Sequence, residues 1–179
     1  MTKLRFPDAP PSRFLRPART ERLAADARQV GLGAVVAMTL VGAVAAITGY
    51  PMLMAPLGAT AVLLFAQPAS PLAQPANVFG GYGLAVAFAA VAVLLWPEHH
   101  WWVATICVGV VIAAMLVFRV THPPAGAVPL VAVAGPIAPG TLAGAVLAGA
   151  ACLVAVAVVH HRLPPRIPYP RRLDAKQPG

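Results

Sequence analysis

Apolar residues in this chain come in long uninterrupted blocks, separated by short stretches that carry proline and the few polar groups. Four blocks, about 30 to 49, 80 to 96, 102 to 118 and 140 to 159, are each roughly 17 to 20 residues long, enough for a helix to cross a bilayer. Two further blocks are shorter: Leu57 to Ala66, preceded by Gly49-Tyr50-Pro51-Met52-Leu53-Met54-Ala55-Pro56, and Ala125 to Ala134, preceded by Arg119-Val120-Thr121-His122-Pro123-Pro124. About ten helical residues cover roughly half of a hydrocarbon core of about 30 Å, and six or seven extended residues before them supply the rest. Proline pushes its predecessor out of the helical region yet suits the first turn that follows, so Pro56 and Pro124 mark the expected half-helix starts. Thr20 and Glu21 read as the start of the helix that leads into the first span.

The two short blocks resemble each other. Pro56-Leu57-Gly58-Ala59 and Pro124-Ala125-Gly126-Ala127 share a Pro-x-Gly-Ala opening, and each is followed by a long span led by Gly80 or Gly140. Each copy therefore has a long span, an extended and half-helical element, and a second long span. Three crossings per copy bring the second copy in from the opposite face, the inverted repeat of many secondary transporters. The expectation is an all-α polytopic membrane protein, with repeat one at about 30–96 and repeat two at about 102–159.

Charge placement supports six crossings over four. Lys3, Arg5, Arg13, Arg16, Arg19, Arg22 and Arg28 lie before the first span, and Arg162, Arg166, Arg171, Arg172 and Lys176 after the last. Both termini then belong in the cytoplasm, of a bacterial-type inner membrane. Six crossings put Arg119 inside and the Pro97 to Trp101 turn outside, where Trp96, Trp101 and Trp102 suit the interface. Residues 1–19, rich in Pro and Arg, read as a disordered basic tail, 20–160 as the membrane domain and 161–179 as a second basic tail.

Composition agrees. Of the residues 59% are hydrophobic and 10% charged, against roughly 25% charged in soluble domains. No Lys, Arg, Asp, Glu or His lies between Arg28 and Glu98, or between His122 and His160. The net charge of +8 sits in the tails without interleaved aromatics, which argues against a nucleic-acid partner. Cys107 and Cys152 lie in apolar runs as small hydrophobes, and His99-His100 and His160-His161 lack companion acids or thiols, so neither metal nor cofactor is expected. No intramembrane acid pair, Ser-His or Cys-His constellation points to an enzyme.

Thr121-His122-Pro123-Pro124-Ala125-Gly126-Ala127 resembles the signature of the HPP family of integral membrane proteins, named for its His-Pro-Pro motif. The likeness extends to Pro56 through Ala66, Gln67 through Val78 and Gly80-Gly81, over roughly residues 30 to 160. Family members are usually described as four-span proteins with transport as the suggested role, and relatives in plastids and cyanobacteria are associated with nitrite transport. The six crossings read from this sequence depart from that description. Regulation through the C-terminal CBS pair that some members carry is not expected.

A half-helix ending inside the membrane directs backbone N–H groups and a partial positive charge at whatever lies before it, which suits an anion. Two such ends, at Pro56, Gly58, Ala59 and Thr60 and at Thr121, His122, Pro123, Pro124, Gly126 and Ala127, form the expected substrate site, with the glycines permitting close approach. His122 either donates to the anion and carries a coupled proton or simply ties the Pro-Pro segment to a backbone carbonyl. Thr60, Thr121, Gln67, Ser70, Gln74 and Asn77 either line a polar route or serve turns and helix starts. A small bundle has little interior of its own, so a homo-oligomer is expected.

These observations lead to a permease for a small inorganic anion such as nitrite. The alternative is a non-transporting scaffold or assembly subunit whose basic tails meet anionic lipid or a partner. Reporter fusions test the orientation. A fluorescent protein joined at either terminus folds in the cytoplasm, and alkaline phosphatase inserted after Glu98 is active outside; the reverse pattern overturns the placement.

Overall fold

A backbone in hydrocarbon must satisfy its own N–H and C=O groups, and a helix does so within one segment. The computed structural model describes residues 20–98, 100–135, 137–164 and 166–171, and among the described residues it is helical without strands. Its elements are α1 (Thr20–Thr48), α2 (Ala55–Ala66), α3 (Pro75–Leu95), α4 (Trp101–Val117), α5 (Val128–Ala134) and α6 (Pro139–Arg162). Short 3-10 segments at Pro71–Ala73 and Pro123–Ala127 precede α3 and α5. Asp26–Thr48, Pro75–Leu95 and Pro139–Arg162 are long and apolar enough to cross a membrane, and α4 adds an apolar helix of 17 residues.

Packing along α6 gives the course of the first short run. Tyr50 meets Gly144 near the start of α6, Leu57 meets Gly149 midway, and the Leu64 carbonyl accepts from His161 Nε2 at 2.8 Å in the last turn. Residues 49–66 thus travel alongside α6 as an extended piece and then a half-helix, the construction expected from Pro56. Gly49, with φ +74, closes α1 in the left-handed region and starts this segment.

The second short run is built differently. Val120 and His122 pack on Gly80 and Gly81 near the start of α3, and the chain then runs back along α3 and α4 toward Pro139. Regular helix begins at Val128 rather than at the expected Pro124. Pro129 has no N–H to give the Ala125 carbonyl, so the Val128 N–H takes that carbonyl and the tighter 3-10 spacing persists.

Small side chains fill the interior and large ones face outward. Ala37, Ala85, Ala145 and Ala150 are fully buried, whereas Ile47, Leu94 and Val117 are 84%, 71% and 76% exposed. A water-soluble protein hides such residues; in lipid they meet a solvent as apolar as themselves, and small residues let helices approach closely.

The C-terminal boundary expected at residue 160 falls inside α6, and the chain beyond it folds back on the bundle. Tyr169, buried, donates its hydroxyl to the Ala73 carbonyl at 3.0 Å, and the Arg171 N–H donates to Gln74 Oε1 at 2.8 Å. Burial raises the Tyr169 phenol above its ordinary pKa, which keeps it a neutral donor. The expected tail at 1–19 and residues 172–179 lie outside the described residues.

Glycine substitutions test the packing. A Cβ on Gly81 would lie 2.7 Å from His122 Cβ and 3.2 Å from the Val120 carbonyl, whereas one on Gly58 meets nothing within 4 Å. Gly81→Ala should cost about 1–3 kcal/mol of stability and lower the unfolding temperature in detergent, while Gly58→Ala should leave it unchanged or raised.

Candidate functional site

The proline-led runs meet where Thr60, in the second turn of α2, lies level with His122, the residue before the 3-10 turn. Both are fully buried, as is Tyr82 of α3. His122 Nε2 lies 2.8 Å from Thr60 Oγ1, and Nδ1 lies 2.9 Å from the Leu72 carbonyl, in the turn between α2 and α3. Tyr82 Oη lies 2.6 Å from Thr60 Oγ1 and donates to the Pro56 carbonyl at 2.8 Å. One imidazole thus joins both runs to the start of α3.

The partners assign the protons. A carbonyl only accepts, so in neutral His122 the proton sits on Nδ1 toward Leu72, Nε2 accepts from the Thr60 hydroxyl, and the Tyr82 hydroxyl is the donor shared between Thr60 Oγ1 and the Pro56 carbonyl. The Pro56 carbonyl also lies 3.1 Å from Thr60 Oγ1. If Nε2 gains a proton, it donates to Thr60 Oγ1 and the Thr60 hydroxyl turns to Pro56. Both protonation states are therefore hydrogen-bonded after a hydroxyl rotation.

The expected site residues do not all converge. Pro56, Thr60, His122 and Pro124 are buried in the interior, but Ala59 and Pro123 are exposed and Gly58 is half-buried. Thr121, Pro123, Gly126 and Ala127 line an apolar groove of about 430 Å³ along α4, with Ile112 and Leu130. A Cβ on Gly58 would meet no other part of the chain within 4 Å, and one on Gly126 would meet only Ile112 Cγ1, at 4.0 Å. Close packing of one segment on another occurs at Gly80 and Gly81.

The helix-start amides are also differently disposed from expectation. Leu57 and Gly58 donate to the Met54 carbonyl at 3.0 and 3.3 Å, Ala125 donates to the His122 carbonyl at 2.9 Å, and the prolines have no N–H to offer. The polar side chains around the site act as braces: Ser70 Oγ accepts from the Leu72 N–H, Gln74 Nε2 donates to the Pro68 and Ser70 carbonyls, and Asn77 Nδ2 donates to the Thr121 carbonyl.

Sequence reasoning missed Tyr82 and the Leu72 carbonyl. Tyr82 had a visible sign, as a lone phenol in an Ala-rich apolar block directly after Gly80-Gly81, because a hydroxyl in hydrocarbon needs a partner. The Leu72 carbonyl had none, since any residue presents one.

Removing one member exposes the dependence. Thr60→Val keeps the shape but leaves His122 Nε2 and Tyr82 without the shared hydroxyl, an expected cost of about 1–3 kcal/mol. Tyr82→Phe removes a donor whose acceptors, Pro56 and Thr60, keep other partners, and should cost less. Chemical or thermal unfolding in one detergent compares them; equal stability of Thr60→Val and the parent overturns the dependence of the network on the Thr60 hydroxyl.

Comparison with curated proteins and with solved structures finds no match. The family model described as HPP, transmembrane region, matches residues 20–170, which include both short runs, the buried network and the C-terminal fold-back as far as Pro170. The chain belongs to the HPP family of membrane proteins.

Proposed function

We propose that this protein is a permease for a small inorganic anion, with nitrite the first candidate, and that His122 carries a coupled proton. The observation that carries the reading is the buried His122, Thr60 and Tyr82 network at the junction of the two proline-led runs. Ionisable groups inside a membrane are expensive and mark substrate or proton routes, and this one has hydrogen-bonded arrangements for both protonation states.

The network suggests how the two would travel together. Protonated His122 offers an Nε2–H, and the Thr60 and Tyr82 hydroxyls offer two more donors. An anion reaching them would accept these in place of the Pro56 carbonyl, and its charge would offset that of the imidazolium. Anion and proton would then cross as a neutral pair, without the cost of an isolated charge in hydrocarbon. In this reading the two copies form an inverted repeat that rocks about the junction, in a homo-oligomer of the inner membrane with both termini cytoplasmic.

Purified protein in liposomes tests it. Nitrite uptake should exceed that of chloride and increase with an inward proton gradient, with nitrate and formate as comparisons. His122→Ala should lower the rate about ten- to hundredfold, as expected for loss of a charged hydrogen bond, and Gly126→Leu should impair it by filling the groove. No uptake of any anion at several pH values, together with a stably co-purifying partner, would favour the scaffold reading instead.

A further inference from the structure

The C-terminal fold-back borders an open cleft of about 620 Å³ at the end of α6, lined by His161, Arg162, Arg166 and Tyr169 among others. Its walls are held by bonds of the backbone and of the Tyr169 hydroxyl rather than of the arginine side chains. Ile167 donates its N–H to the His161 carbonyl at 3.0 Å, Tyr169 is tied to Ala73, and Arg171 is tied through its backbone to Gln74. Arg162 and Arg166 are exposed, and neither is paired with a carboxylate among the described residues.

His161, at 1% exposure, forms the buried side of this cleft. Its Nε2–H is committed to the Leu64 carbonyl, so the neutral imidazole presents Nδ1 as an acceptor, and Nδ1 is enclosed without a partner among the described residues. A buried acceptor without a donor is costly and uncommon. The rings of Phe65, His160 and Tyr169 surround the imidazole, so a donor that reaches it must be small.

We propose that this cleft binds a phosphate group, with Arg162 and Arg166 on its anionic oxygens and a hydroxyl of the same ligand donating to His161 Nδ1. Guanidinium forks match phosphate oxygens in geometry and charge. Two sources carry both features, a hydrogen phosphate ion and a phospholipid with a glycerol headgroup. The cleft lies where the apolar length of α6 ends, the level at which a bilayer places its phosphates and at which juxtamembrane arginines meet anionic lipid. Its lining shares no residue with the His122 network, and its test needs no transport activity.

The full chain is reconstituted in nanodiscs of phosphatidylcholine, alone or with phosphatidylglycerol, and retained lipid is read by native mass spectrometry. The detergent-purified chain is titrated with inorganic phosphate by calorimetry. Arg162→Gln with Arg166→Gln should weaken binding roughly thirtyfold with an unchanged unfolding temperature. Arg13→Gln with Arg16→Gln, an equal change of charge elsewhere, should bind like the parent. Retained phosphatidylglycerol assigns the site to a lipid headgroup, and phosphate binding without lipid preference assigns it to the free ion; either upholds the cleft. Binding of neither probe, or equal weakening by the two double variants, overturns it.

Discussion

His122 holds the bundle together at the point where its two irregular segments meet. Nδ1 is fixed to the carbonyl of Leu72, Nε2 to the hydroxyl of Thr60, and Thr60 to Tyr82 and Pro56. The long spans satisfy their own backbone polar groups, but a proline-led extended segment does not, and at membrane depth such backbone survives only where protein groups complete it. In a low-dielectric interior an unpaired member of such a network is costly, so its members support one another.

The network depends in turn on how close the chain can come. Val120 and His122 lie against Gly80 and Gly81, where a Cβ would collide, and Leu57 occupies the space that a side chain on Gly149 would need. Lipid supplies no hydrophobic force between helices, so their association relies on contact at short range, which small residues permit. Large apolar residues turned outward and alanines turned inward are the two sides of that arrangement.

The turn between α2 and α3 connects the deep site with the C-terminal end. Its Leu72 carbonyl accepts from His122, its Ala73 carbonyl from Tyr169, and its Gln74 side chain from Arg171. A segment that composition marked as a basic tail is therefore part of the packed domain through residue 171. Arginine content concealed this, because the contacts are made by a phenol and by backbone, neither of which stands out beside charges such as those of Arg166 and Arg171.

Block length and the absence of charge determined by themselves that the chain is helical and lives in a membrane, because only a helix of sufficient apolar length closes its own hydrogen bonds there. Pro56 likewise determined an extended entry and a half-helix, through local backbone sterics. Local rules also marked His122 and Thr60 as exceptional, as polar groups within apolar surroundings. Tertiary structure alone decided what they do. The close packing of one segment on another fell at Gly80 and Gly81, and the partners of His122 proved to be a hydroxyl 62 residues away and a carbonyl 50 residues away. Hydropathy and proline act over a few neighbouring residues, whereas a hydrogen bond between distant segments exists only after the bundle has packed.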